Sequence, residues 1–313
     1  MSKIQQPLEN EEQIQLIGID IGRGYTKGYT EFNGSAKECL FKSVVSLGRT
    51  LNFEDYTDPI YLEVCGDEYF AGTLAEIEGD NPIMNLKDDK TTLTAKKLLY
   101  AALNQLAVAE KVKIMLGVPN KMFKKSELAK IKECYKECKF KIKDKVTGSY
   151  KDIVIEDISI FRESDAALMW HVKDIKEFNK TMCMATIGFR TTELACYDRN
   201  MNYIDRLSDT KELGNRTALA FVQKKLKAQG ITKELNEIDS SEDYENLKEL
   251  AYKDLAENIE QLIEGTLINL QEVNVYIAGG TALNLKFNDY TVIPDAQMIT
   301  AKGLYLVATK TFK

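Results

Sequence analysis

The chain has 313 residues, of which 44% are hydrophobic and 29% are charged. It is long enough for two ordinary domains, and this composition is not that of a disordered or fibrous protein. Its 42 Lys and Arg against 48 Asp and Glu give a net charge of −6, which argues against direct, sequence-independent binding to nucleic acid.

The polar stretch 1–13 lacks the basic and apolar regions of a secretory signal, and no apolar run approaches the roughly 18 residues that span a bilayer. We therefore expect a cytoplasmic protein with a polar N-terminal tail and no membrane contact.

Extended apolar segments alternate with amphipathic segments along the chain. The extended segments, bounded by turn signals, predict β-strands. They are Leu16–Ile21, Val112–Val118, Ile153–Phe161, Met182–Ile187, Leu194–Tyr197 and Asn274–Ala278. The amphipathic segments repeat apolar residues three and four apart and predict helices. They are Thr92–Glu110, Glu163–Phe178, Gly214–Gln229 and Asp243–Leu270. This alternation predicts an α/β fold.

The six cysteines are scattered without a secretory context, so reduced thiols are expected. They are Cys39, Cys65, Cys134, Cys138, Cys183 and Cys196. Cys134 and Cys138 lie four residues apart on a predicted helix, a spacing that could hold two metal ligands. No second pair follows, and the only histidine, His171, is remote, so a structural role is favoured.

The first strand leads into a glycine turn in LIGIDIGRGYTKGYTEF, residues Leu16–Phe32. Backbone N–H groups at such a turn form an anion-binding concavity, and glycine lets a phosphate approach the backbone closely. The segment TIGFRTTELA, Thr186–Ala195, aligns at a constant offset with DIGRGYTKGY, Asp20–Tyr29. Two related hairpins half a protein apart predict two similar domains that face one ligand. No P-loop or dinucleotide-binding motif is present.

These hairpins and the later turn VYIAGGTALNL resemble the phosphate-1, phosphate-2 and adenosine motifs of the actin, Hsp70 and sugar-kinase superfamily. From about Leu16 to the C-terminus, the chain resembles bacterial plasmid-segregation actins of the ParM type. Further weak motifs occur in the expected order. They are VCGDEYFAG (Val64–Gly72), LGVPNKMF (Leu116–Phe123), FRESDAA (Phe161–Ala167) and DAQMITAKGLY (Asp295–Tyr305).

The resemblance implies an actin-like fold of two related domains, each with a mixed five-stranded sheet flanked by helices. The nucleotide would lie in the cleft between the domains. Domain I would take residues 14–162 and 294–313, with a small lobe at about 39–90. Domain II would take residues 163–293, with a small lobe at about 205–247.

The resemblance also implies the site residues. The first hairpin would hold ATP phosphates with Asp20, Gly22, Arg23, Gly24, Tyr25, Thr26 and Lys27. The second would use Gly188, Phe189, Arg190, Thr191 and Thr192, and the nucleoside would lie on Gly279, Gly280 and Thr281. Each residue also has a plain structural interpretation, as a turn, a packing glycine or a solvated charge.

The resemblance further assigns a catalytic role and a metal site. Glu163 would orient or activate the attacking water, and Asp20 would order a water of the Mg²⁺ shell. The family's second hairpin usually begins with aspartate, where this chain has Thr186. The metal site would therefore lack a charge unless Asp165 supplies it, and both residues would act through water.

Because this fold serves several functions, function is a separate interpretation. The favoured one is a slow ATPase, with GTP not excluded, whose hydrolysis is coupled to turnover of its own head-to-tail filament. A DNA-binding adaptor of ParR type would link the filament to plasmid DNA. A small-molecule kinase of the same superfamily and another cytoplasmic actin-like cytoskeletal protein remain open alternatives.

Overall fold

The computed structural model describes residues 13–313, and the tail predicted over 1–13 lies outside this part except for Gln13. The strands are β1 (Gln15–Ile21), β2 (Tyr25–Phe32), β3 (Ser35–Lys42), β4 (Val44–Leu47), β5 (Ile60–Val64), β6 (Asp67–Ala71), β7 (Asp80–Met84), β8 (Lys111–Val118), β9 (Cys138–Asp144), β10 (Tyr150–Arg162), β11 (Thr181–Ile187), β12 (Thr192–Tyr197), β13 (Asp209–Lys211) and β14 (Val273–Ala278). The α-helices are α1 (Thr73–Glu78), α2 (Leu93–Leu106), α3 (Lys125–Tyr135), α4 (Glu163–His171), α5 (Asn215–Ala228), α6 (Leu235–Ser240), α7 (Glu245–Thr266) and α8 (Ile299–Thr311).

The larger sheet has the strand order β3-β2-β1-β8-β10-β9-β5-β6-β4-β7. Strand β1 is central, antiparallel to β2 and parallel to β8. Ile17, Ile19 and Ile21 are at most 1% exposed and pack in the core of this sheet. Helix α8 covers the other face, where a Cβ on Gly18 would lie 2.3 Å from the backbone nitrogen of Tyr305. Strand β1 is therefore buried on both faces, and its C-terminal end is rigidly placed.

The smaller sheet has the order β13-β12-β11-β14. The predicted α/β fold is confirmed, but the two sheets have ten and four strands rather than five each. Beyond its first five strands, the larger sheet continues through β9 into β5, β6, β4 and β7. In the smaller sheet, the segment next to β14 pairs with it only through an isolated parallel bridge between Ile277 and Val292. Pro294 follows two residues later and has no N–H to extend the ladder.

The apolar cores are separated along the sequence. The largest cluster draws on residues between Ile17 and Ile160, and the second draws on residues between Cys183 and Leu285. Helix α8 packs on β1 and on α4, where a Cβ on Gly303 would lie 1.9 Å from the carbonyl oxygen of Ala166. We therefore propose the domain limits expected from the sequence, which are residues 14–162 and 294–313 for domain I and residues 163–293 for domain II.

The predicted strands and helices all occur, with shifted ends. Helix α4 ends at His171 rather than near Phe178. The helical pattern would place Ile175 on a buried face, but this residue is 44% exposed. The buried apolar face of α4 therefore does not extend to Ile175. Within residues 13–313, no helix is both long and apolar enough to cross a membrane.

Two expectations about cysteine are wrong. Cys183 and Cys196 are directly opposite in the β11–β12 ladder, with Cα atoms 4.1 Å apart, and form a disulfide rather than remaining reduced. Cys134 lies on α3 whereas Cys138 begins β9, so they do not share a helix. Both outcomes depend on strand register and element ends, which cysteine spacing does not determine.

Candidate functional site

The two glycine hairpins face each other across a cleft with a cavity of about 350 Å³. Most of the residues that the sequence assigned to the site line this cleft. They are Asp20, Gly22, Arg23, Gly24, Tyr25, Lys27, Glu163, Gly188, Phe189, Arg190, Thr191, Gly280 and Thr281. The tips of the hairpins touch, because a Cβ on Gly24 would lie 3.3 Å from Cβ of Phe189. The internal repeat thus lies on two walls of one cavity.

Three other assigned residues lie behind the lining. The Thr26 hydroxyl is fully buried and is 2.9 Å from Oγ of Ser43. Thr192 donates its hydroxyl to the Leu213 carbonyl at 2.7 Å. Gly279 has a φ of 98°, a conformation that favours glycine, and packs against Ile187. These residues hold the turns in shape and do not line the cleft.

Asp20 and Lys27 are directly opposite in the β1–β2 ladder and form an ion pair, with Nζ 3.0 Å from Oδ2. The turn between them is closed by the Gly22 N–H, which donates to the Tyr25 carbonyl at 3.1 Å. The second carboxylate oxygen of Asp20, Oδ1, is buried without a hydrogen-bond partner. An unsatisfied buried carboxylate oxygen is costly, so this atom is suited to a water molecule or a hydrated cation.

Both assigned arginines pair with carboxylates. Arg23 Nη2 lies 2.6 Å from Oδ1 of Asp88, which precedes α2, and Arg190 pairs with Glu212. A guanidinium carries five N–H donors, so these ion pairs leave donors for a phosphate, and Nε of Arg190 is buried without a hydrogen-bond partner. Their contacts fix the two hairpin tips to neighbouring segments of the chain.

Glu163 is the first residue of α4, at the point where β10 ends. Its Oε1 lies 3.3 Å from Nζ of Lys90, and Lys90 also donates to the Ile21 carbonyl at 2.7 Å. Burial raises the pKa of Glu163, and the Lys90 ammonium opposes this shift. Lys90 is 3% exposed and was not identified from the sequence, because nothing in NLKDDK distinguishes it from the neighbouring Lys87.

Thr186 lies beneath the start of α4, outside the cleft lining. Its hydroxyl is hydrogen-bonded to the Ser164 hydroxyl, which also donates to Oε2 of Glu193 at 3.1 Å. Glu193 is 5% exposed, and burial together with the nearby Glu163 raises its pKa to about 8. Glu193 is not among the residues predicted from the sequence, although a glutamate within the apolar strand TELACY is a signal of a buried carboxyl group.

Asp165 does not provide the missing charge. Its carboxylate accepts hydrogen bonds from the Tyr197 hydroxyl and from Arg162, whose Nη2 is 2.6 Å from Oδ1. Burial raises the pKa of Asp165, and these two partners oppose the shift. Since the carboxylate of Asp165, in the first turn of α4, is held by these partners and does not line the cleft, the hypothesis that it compensates for Thr186 is not supported.

The other end of the cleft is polar. The Thr281 hydroxyl donates to the Gly188 carbonyl at 2.9 Å and so joins the turn after β14 to the second hairpin. Asn215 and Asp239, from α5 and α6, complete this end, and the Asn215 amide donates to Oδ1 of Asp239 at 3.1 Å. This pair was not identified from the sequence because it depends on helix packing.

The carboxyl of Glu193 makes stability depend on pH. Its pKa is about 8 in the folded chain and ordinary in the unfolded chain, so the folded state keeps a proton that the unfolded state releases. Stability is therefore lost as the pH rises from about 4.5 to about 8. Glu193→Gln has no carboxyl proton to release, so it does not lose stability in this way. We expect the melting temperature of the variant minus that of wild type to be at least about 2 °C higher at pH 8.5 than at pH 5. A constant difference across this range, measured by thermal denaturation, would contradict the assigned environment.

Residues 18–164 match the family model described as the N-terminal domain of actin-like proteins. Similar solved structures include the archaeal actin homologue Ta0583 in complex with ADP, with 18% identity and a TM-score of 0.77, covering 95% of this chain and 100% of that chain. A 15-stranded ParM filament from Clostridium botulinum has 20% identity and a TM-score of 0.79, covering 95% and 99%. ParM from Bacillus thuringiensis with ATP has 13% identity and a TM-score of 0.66, covering 95% and 98%.

No curated protein sequence matches the chain. The family model and the solved structures confirm the actin-like fold and the resemblance to actin-like proteins of the ParM type.

Proposed function

We propose that this chain, which shares its fold with ParM and matches the N-terminal domain of actin-like proteins over residues 18–164, binds ATP with Mg²⁺ and forms nucleotide-dependent filaments. The observation that carries the proposal is the pair of related hairpins on opposite walls of one cleft, which Asp20 lines with its unpartnered Oδ1. The relatives with ADP, with ATP and in a filament support it.

The residues of the cleft fit a nucleotide and its cation. Among residues 13–313, no group of three or more His, Cys, Asp or Glu is arranged to bind a metal directly. This agrees with Mg²⁺, which keeps several waters and takes few carboxylates when it is bound with phosphates. Asp20 would hold it through water, and Mg²⁺ would neutralise phosphate charge in hydrolysis.

Residues of the chain would bind the phosphates and position the attacking water. Backbone N–H groups of the hairpin turns would bind phosphate oxygens, and Lys27 would exchange its Asp20 partner for the phosphates. Glu163 would orient the attacking water, since phosphoryl transfer depends mostly on positioning and charge stabilisation. Lys90 would favour the ionised form of the Glu163 carboxylate and hold it in the cleft, because its ammonium faces Oε1.

We further propose a cytoplasmic role in plasmid segregation, in which a DNA-bound adaptor of ParR type links the filament to plasmid DNA. The net charge of −6 supports an adaptor over direct DNA contact. A small-molecule kinase is the second candidate. Calorimetric titration with ATP, GTP and ADP, followed by phosphorylation assays on a panel of sugars and short carboxylic acids, separates the two. Transfer of phosphate to a panel member would favour the kinase.

Thr186→Asp tests the proposed metal environment. The substitution adds a carboxylate close to Ser164, so we expect it to lower the Mg²⁺ concentration for half-maximal ATP turnover by roughly three- to tenfold. Asp165→Asn is the matched control and should leave the Mg²⁺ midpoint unchanged, because Asp165 is paired with Arg162. An unchanged midpoint in Thr186→Asp would place position 186 outside the influence of the cation.

A further inference from the structure

Glu193 is a buried carboxyl group for which the proposed mechanism so far has no use. It is directly opposite Thr186 in the antiparallel β11–β12 ladder. Directly opposite residues in such a ladder project from the same face of the sheet. The carboxyl group that the resemblance leads one to expect at position 186 is therefore present one strand away, on the same face.

The contacts of Glu193 join two parts of the chain. Its Oε2 accepts a hydrogen bond from Ser164 at the start of α4. Glu193 thus links a strand of the smaller sheet to the first turn of α4, the helix that begins with Glu163.

The start of α4 depends on this link. The residue that precedes the helix, Arg162, makes no side-chain capping bond to it. Ser164, immediately after Glu163, is instead held by hydrogen bonds to Thr186 and Glu193. A polar group is costly to bury unless hydrogen bonds compensate for the lost contact with water. The neighbouring position on the same face of β12 holds a small apolar residue, Ala195, rather than a second polar one.

We propose that Glu193 is a positioning residue for Glu163. Through its hydrogen bond with Ser164, it fixes the first turn of α4 and thereby the direction of the Glu163 carboxylate in the cleft. This inference rests on the proposed function, because it assigns Glu193 to the hydrolysis step. Glu193 itself does not line the cleft, so it acts on the water only through Glu163.

The test compares steady-state ATP hydrolysis, ADP affinity and melting temperature in matched variants. Glu193→Leu removes the acceptor for Ser164, and we expect kcat to fall about tenfold or more. The KM for ATP and the Kd for ADP should stay within about twofold, since nucleotide contacts are intact. Glu193→Gln keeps an acceptor oxygen and should retain several times more kcat than Glu193→Leu. A merely structural role would lower the melting temperature without this division between kcat and KM.

Two further variants test the hydrogen bond itself. Ser164→Ala removes the donor, and combined with Glu193→Leu it should lower kcat no further than Glu193→Leu alone, because both substitutions break one interaction. Thr186→Asp in the Glu193→Leu background returns a carboxyl group to the same face. We expect it to recover kcat at least about threefold over Glu193→Leu.

Failure of the proposed function and failure of the inference on Glu193 give different results. Wild-type protein that neither binds ADP nor hydrolyses ATP would overturn the proposed function and this inference together. Hydrolysis by wild type with an unchanged kcat in both Glu193→Leu and Ser164→Ala would overturn the inference alone. Full additivity of these two substitutions, or equal loss of kcat in Glu193→Gln and Glu193→Leu, would also contradict it.

Discussion

Asp20→Ala is expected to reduce ATP turnover by about a hundredfold or more and to abolish ATP-dependent assembly. Asp20 contributes the one buried carboxylate oxygen among residues 13–313 that lines the cleft without a hydrogen-bond partner. Its removal takes away the proposed anchor for the hydrated cation and leaves the Lys27 ammonium without its partner at 3.0 Å. Since Lys27 would exchange this partner for the phosphates on nucleotide binding, the large effect follows from the loss of the cation's anchor beside the phosphates.

The measurement is phosphate release and light scattering at several Mg²⁺ concentrations. Asp174→Ala is the matched control, because Asp174 is exposed and does not line the cleft. Circular dichroism and the melting temperature show whether the Asp20 variant is folded. Normal ATP turnover in folded Asp20→Ala would refute the assigned position of the cation.

Glu163→Ala is expected to separate hydrolysis from assembly. The Glu163 carboxylate lines the cleft, but the hairpins that would bind the phosphates do not depend on it. Nucleotide binding and polymerisation should therefore remain largely intact, whereas phosphate release falls by about 10²- to 10³-fold, the usual contribution of a general base. Filaments formed with ATP should then persist long after wild-type filaments disassemble.

Glu163→Gln refines this experiment, since the amide oxygen can still accept a hydrogen bond from Lys90 while the negative charge is lost. We expect it to slow hydrolysis as strongly as Glu163→Ala. Glu177→Gln, at an exposed position, serves as the control. Unchanged phosphate release in both Glu163 variants would remove the catalytic role of Glu163.

The sequence predicts the parts of this molecule that are encoded locally. Strand β1 and its turn are visible in LIGIDIGRG because apolar alternation and glycine determine them within a few residues. The internal repeat adds long-range information, since two similar hairpins indicate two similar domains. For this reason most of the residues that the sequence assigned to the site line the cleft.

What the sequence missed depends on contacts between distant segments. Lys90 reaches Glu163 only because the chain after β7 returns to the end of β1, where Lys90 donates to the Ile21 carbonyl, and no local pattern encodes that path. Glu193 and the Cys183–Cys196 disulfide both depend on the register of the β11–β12 ladder. Asp165 is close in sequence to Glu163, but the helix turns its carboxylate towards Arg162 and away from the cleft lining.

The central claim is that the cleft controls assembly through nucleotide. High-speed sedimentation of the purified chain with Mg-ATP, with Mg-ADP and without nucleotide tests it most directly. We predict that most of the protein pellets with Mg-ATP, that much less pellets with Mg-ADP, and that the chain stays in the supernatant without nucleotide. Identical sedimentation under the three conditions, with ATP binding demonstrated separately, would contradict the account.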